Sequence, residues 1–226
     1  MHTIASRKTD REIQEDVLNE LRWDSRIRQE EVGVEVDEGV VTLTGTVESW
    51  AKKLAAKEAA HRVVGVRDVA DDVRVKLPGG LQKTDTEIAQ DVRLALEWDA
   101  FVPERNIRST VSDGLVTLEG EVNTLLQKED AARAIRNVRG VKGVNNFLTV
   151  AAVKADPGQL RKSIEQALER RAEREAEKVR VVLDNGTVTL EGRVRTWPER
   201  TAVLGAVSHA PGVREVRDRL TVNPWN

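Results

Sequence analysis

Along the first third of the chain the apolar residues change rhythm three times. From Asp10, a charged stretch carries Ile13, Val17 and Leu21 at intervals of four. That spacing predicts an amphipathic helix with one buried stripe. Val32, Val34 and Val36 then alternate with polar residues, which predicts a strand with one buried face. A "DEG" turn follows, and Val41, Leu43 and Val47 continue the alternation on a second strand. Ala56, Ala59, Ala60 and Val63 return to helical spacing with small residues, so this second helix is expected to lie close on its sheet. Val69, Val73 and Val75 close the unit as a third strand. The order is α-β-β-α-β.

The unit occurs three times. A shift of about 75 residues lays the first copy on the second, and a shift of about 72 lays the second on the third. "GVVTLTG" at 39–45 returns as "GLVTLEG" at 114–120 and "GTVTLEG" at 186–192. The helix opening "TDREIQEDV" returns as "TDTEIAQDV" and, degenerately, as "DPGQLRKSI". Thr9 with Glu12 and Thr84 with Glu87 form capping boxes, and Thr196, Pro198 and Glu199 open the last helix in the same spirit. Gly39, Gly114 and Gly186 are expected at positive φ in the hairpin turns. Gly45, Gly120 and Gly192 share the inward parity of the second strand, where a closely crossing helix is expected to need the space. Gly65, Gly140 and Gly212 are expected to end the second helices. "RRAEREAEKVR" from Arg170 reads as an exposed extension of the third copy's first helix. With "LPGGLQK" and "VKADPG" as linkers, the domains are residues 8–77, 83–152 and 155–226. The fold class is α+β: three tandem αββαβ domains, each a three-stranded sheet with two helices on one face.

The amphipathic opening, the "GxVxLxG" hairpin arm and a "GV" after the second helix together resemble the BON domain, a family named for bacterial osmotic-stress and nodulation proteins. The residues that carry the resemblance are Gly39, Val41, Leu43, Gly45, Gly65 and Val66, with Gly114, Val116, Leu118, Gly120, Gly140 and Val141, and Gly186, Val188, Leu190, Gly192, Gly212 and Val213. The resemblance implies a non-catalytic binding module, often at phospholipid or membrane surfaces, in envelope or osmotic-stress physiology. It implies structural glycines and no catalytic residues.

Composition narrows the chemistry. The 226 residues contain no cysteine, which excludes disulfides, thiolate metal sites and cysteine nucleophiles. The three histidines share no helical spacing, and no recurring constellation of reactive groups points to an enzyme, a metal or a cofactor. A net charge of −2 and the absence of tyrosine argue against a nucleic-acid site. Charge appears early at Arg7 and no apolar run reaches membrane-spanning length, so no transmembrane segment is expected, and the location expected is cytoplasmic, or periplasmic if a signal peptide was removed.

Two sets of cations are candidate sites for an anion or lipid headgroup. Lys53, Lys128 and Arg200 stand at one repeated position in the first turn or so of the second helix, where free N–H groups favour an anion. Arg193, Arg195, Arg217 and Arg219 are expected together on the open side of the third sheet, in the one copy with net positive charge. The competing reading is that Glu191, Glu215 and Asp218 neutralise that patch. Trp23 and Trp98 follow the first helices and Trp50 and Trp197 open second helices. They are expected chiefly to rim small cores or be covered by a neighbouring copy, with interfacial anchoring as the sharper alternative. The partner is accordingly an anionic phospholipid surface or, for a cytosolic scaffold or sensor, a protein or ion.

Overall fold

A computed structural model describes residues 7–79, 83–152, 157–171 and 179–224. The expected helical extension beyond Arg171 and the linker cores lie outside the described residues, as does Trp225.

The first copy sets the plan. Helix α1 (Asp10–Trp23) begins at Thr9, whose hydroxyl accepts from the Glu12 amide while the Glu12 carboxylate accepts from the Thr9 amide. Strand β1 (Val32–Asp37) pairs antiparallel with β2 (Val40–Val47), helix α2 (Trp50–Arg62) crosses over, and β3 (Asp68–Val75) pairs parallel with β2. The sheet order is β1-β2-β3. Both helices pack on one face: Ile13, Val17 and Leu21 meet Val41, Leu43 and Val47 and the alanines of α2 in one core. Val40 faces away from that core and is partly exposed.

The second copy repeats this with α3 (Asp85–Trp98), β4 (Ile107–Ser112), β5 (Leu115–Val122) and α4 (Leu125–Ile135). Its third strand is split into β6 (Gly143–Asn146) and β7 (Thr149–Val150), where the sequence pattern predicted one strand. Phe147 and Leu148 interrupt the ladder, with Phe147 turned outward and Leu148 fully buried. The third copy has α5 (Pro157–Arg171), β8 (Arg180–Asp184), β9 (Thr187–Val194), α6 (Trp197–Ser208) and β10 (Glu215–Val222).

Two of the three sets of recurrent glycines stand differently from expectation. Gly39, Gly114 and Gly186 do sit at φ +77, +77 and +80. A side chain there would also strike the carbonyl of the later glycine of the same copy: a Cβ on Gly114 would lie 2.6 Å from the Gly140 oxygen. Gly45 and Gly120 make room for a carbonyl of the preceding turn, not for a helix. A Cβ on Gly45 would fall 2.2 Å from the Glu31 carbonyl oxygen, and one on Gly120 would fall 2.0 Å from that of Asn106. These carbonyls end the short 3₁₀ turns Gln29–Glu31 and Glu104–Asn106 that precede the first strands. Gly65, Gly140 and Gly212 lie past the helix ends, since α2, α4 and α6 stop at Arg62, Ile135 and Ser208. Each glycine instead occupies the turn into the third strand, which docks on the hairpin through the Arg67–Gly39, Lys142–Gly114 and Arg214–Gly186 backbone hydrogen bonds, all 2.8 Å.

One repeated interaction had a visible but unread signal. Asp10 follows the capping threonine, and its two carboxylate oxygens accept from the Glu38 and Gly39 amides of the hairpin turn at 3.0 and 2.8 Å. Asp85 does the same for Asp113 and Gly114 at 2.8 and 2.9 Å. The "TD" pair thus caps a helix with one residue and a hairpin with the next. The third copy has Pro157 at this position, and the Arg214 guanidinium donates to the Asn185 carbonyl of its turn.

Candidate functional site

The three cores are joined through one repeated position, the first residue of each second helix. Trp50 opens α2 of the first copy and packs against the second core. Leu125 opens α4 of the second copy and is buried in the third core. Trp197 opens α6 of the third copy and packs against the first core. The contacts therefore run from one to two, two to three and three to one, closing a ring. Trp50 and Trp197 meet the expectation that a neighbouring copy covers them. Leu125 stands where the other two copies have tryptophan and does the same work as an apolar residue of another shape.

The closing contact is chemically distinct. Trp197 stacks on His61 of α2, with ring centroids 3.8 Å apart and planes 11° apart, and the Arg200 guanidinium sits 4.4 Å from the Trp197 ring. His61 Nε2 and Trp197 Nε1 are buried with no hydrogen-bond partner among the described residues. Burial pulls the His61 pKa down to about 4, with Lys57 and Arg200 adding repulsion and Asp68 opposing them. The junction between copies one and two has an ionic element instead. Arg26 makes a two-point contact with Asp24, at 2.9 and 2.7 Å, and reaches Glu58 at 3.1 Å. Glu58 faces Arg136 of the second copy at 4.0 Å. The Arg26 guanidinium holds the Asp24 carboxyl far below the usual carboxylate range.

The candidate cations are distributed unevenly. Lys53 donates to the Val73 carbonyl at 2.7 Å and lies 3.4 Å from Asp71. Arg200 binds Asp218 at 2.8 Å. Each is therefore turned onto the third strand of its own copy. Asn146 replaces that carboxylate in copy two, so Lys128 has no acid there; it lines a pit between α4 and the third copy's β10. On the open face of the third sheet, Arg217 pairs with Glu215 at 3.2 Å and Arg219 with Glu191 at 2.9 Å. Arg193 stands apart from these pairs, in a cleft between copies three and one. The Arg195 amide donates to Glu199.

Trp23 and Trp98 depart from the packing expectation. Each is 86% exposed at the C-terminal end of its first helix. In copy two Leu94, one helical turn before Trp98, is 50% exposed and Phe101 is 74% exposed. Among the described residues no helix is long and apolar enough to cross a membrane, and no three acidic or histidine side chains converge in a way that would hold a metal.

The chain is thus an array of three small α+β domains, joined by side-chain contacts between copies and bearing two exposed indoles. The family model of the BON domain matches residues 9–76, 84–152 and 156–224, and the chain belongs to that family. It is 34% identical over 126 residues to osmotically-inducible protein Y of Escherichia coli (strain K12), a match covering 54% of this chain and 63% of that protein. The match thus spans less than two thirds of the relative's length. Among solved structures, it is similar to CdsD, a structural protein of the type III secretion system of Chlamydia trachomatis, at 16% identity, with 93% of this chain and 92% of that one covered and a TM-score of 0.26. A second structure, of the CdsD C-terminal domain, gives 15% identity, 93% and 96% coverage and a TM-score of 0.26.

Proposed function

We propose that this protein is a non-catalytic array that attaches to anionic phospholipid surfaces during osmotic or envelope stress. The observation that carries the reading is the pair of exposed indoles at the equivalent helix ends, Trp23 and Trp98, the second flanked by Leu94 and Phe101. A side chain of this size buries about 150–250 Å² when covered. At about 25 cal/mol per Å², that is of order 4–6 kcal/mol for full immersion, before ordering costs. An indole is suited to the headgroup level, where its ring is apolar and its N–H stays hydrated. Arg193, which has no ion pair with a described acid, adds the preference for anionic lipid; Lys128, which has Glu215 nearby, and the locally paired Lys53, Arg200, Arg217 and Arg219 add less.

The test is flotation of the full chain with phosphatidylcholine vesicles, with and without phosphatidylglycerol, at low and high salt. The expected result is co-flotation that needs the anionic lipid, weakens with salt, and is mostly lost in the double variant Trp23→Ser, Trp98→Ser. Absence of flotation, or flotation indifferent to both indoles, would overturn the reading and favour a scaffold that binds a protein partner or ion.

A further inference from the structure

The ring closure brings three arginines from the two ends of the chain to one cleft. Arg7 precedes α1, Arg67 leads into β3, and Arg193 lies near the end of β9; Thr221, Val222 and Asn223 complete the walls of a hollow of about 440 Å³. The described lining contains no carboxylate, and none of the three guanidinia has an ion pair with a described acid. Three other arginines of the third copy differ: Arg200, Arg217 and Arg219 each have an acid within 3.2 Å. Arg67 is held in place, its stem lying against Gly39 and its Nη1 donating to the Glu38 carbonyl at 3.2 Å.

The corresponding hollow between copies one and two makes an instructive contrast. There Lys76, Lys83 and Lys142 come together, but Asp85 and Asp113 share the lining and Lys83 is bound to Asp91. That cleft is neutralised from within. The arginine cleft is not, and gathering three like charges is unfavourable until a counter-charge arrives. Guanidinium groups present forked N–H donors that match a phosphate oxygen pair, which lysine does not.

We infer that the cleft between the third and first copies binds a multiply charged phosphate group, free or carried on a headgroup. The site is composite: Arg193 comes from one copy and Arg7 and Arg67 from another, so it exists only while Trp197 rests on His61. Binding and ring closure are thus coupled, and a phosphate ligand stabilises the closed ring by mass action. The inference does not rest on the membrane reading, because its first arm contains no bilayer.

The experiment is titration of the full chain with inorganic pyrophosphate at low ionic strength, by calorimetry and thermal shift. A second arm uses phosphatidylcholine vesicles with and without phosphatidic acid. Arg7→Gln and Arg193→Gln are each expected to weaken binding about tenfold, the loss of one charge-assisted contact. Arg11→Gln is the control, since Arg11 is exposed on α1 and paired with Glu15; it should change affinity little. Trp197→Ala removes no charge, yet should weaken binding as much by opening the junction. Binding of pyrophosphate with this pattern assigns a free phosphate; the same pattern with phosphatidic acid vesicles alone assigns a headgroup. Binding in neither arm, or losses as large in Arg11→Gln as in Arg193→Gln, would overturn the inference.

Discussion

Trp197 lies flat on His61 across the junction between the third and first copies, 3.8 Å from centroid to centroid. The two residues belong to the second helices of domains that are farthest apart in the chain. Replacing Trp197 with alanine removes a large side chain from the edge of the first core and the stacking with His61. The expected cost is about 2–4 kcal/mol, below a full core deletion because the site is at a domain edge. Denaturant unfolding should show the loss, and small-angle scattering should show a larger radius of gyration. An unchanged radius would mean that the ring is held elsewhere.

The same contact sets a pH response. His61 has a folded pKa near 4, below its ordinary value of 6.5. The unfolded chain therefore binds the proton more readily between these values, and stability falls as pH drops through that window. Above 6.5 the group is neutral in both states and contributes no slope. A His61→Phe variant keeps an aromatic face for Trp197 and cannot be protonated. Its melting temperature should fall less between pH 6.5 and pH 4 than that of the parent, and a parallel decline in both proteins would refute the assignment.

Gly120 tests the corrected role of the strand glycine. A Cβ there would lie 2.0 Å from the Asn106 oxygen, on a residue at φ +135. Gly120→Ala should cost at least about 3 kcal/mol through backbone strain and displacement of the preceding turn. A melting curve indistinguishable from the parent would show that the turn yields freely.

Asp85 tests the link between helix start and hairpin. Asp85→Ala removes two charge-assisted hydrogen bonds to the Asp113 and Gly114 amides. The expected loss is about 2–3 kcal/mol, and the amides of Asp113 and Gly114 should exchange faster with deuterium. Asp85→Asn retains an acceptor and should recover part of the stability.

The elements of each copy were legible because helix and strand periodicities are local. Ile13, Val17 and Leu21 are all buried, as are Val41, Leu43 and Val47, since the face a residue takes follows from its spacing alone. The hairpin glycines were legible for a similar reason, a tight turn needing positive φ wherever it occurs. Gly120 was read as inward-facing beside a helix, whereas it is exposed and its close neighbour is a carbonyl. Nothing in "GLVTLEG" says that a carbonyl from the turn before β4, rather than a helix, approaches it.

The sequence by itself determined that this is three α+β units in tandem and which stripe of each element is buried. Those properties depend on residues a few positions apart. Only the tertiary structure decided what Trp50, Leu125 and Trp197 have in common, and that Arg7 and Arg193 share a cleft. Each of these contacts joins surfaces of separately closed cores, between residues distant in the chain. No local spacing records such a meeting, and an exposed tryptophan such as Trp98 has the same helical context as one that a neighbour covers.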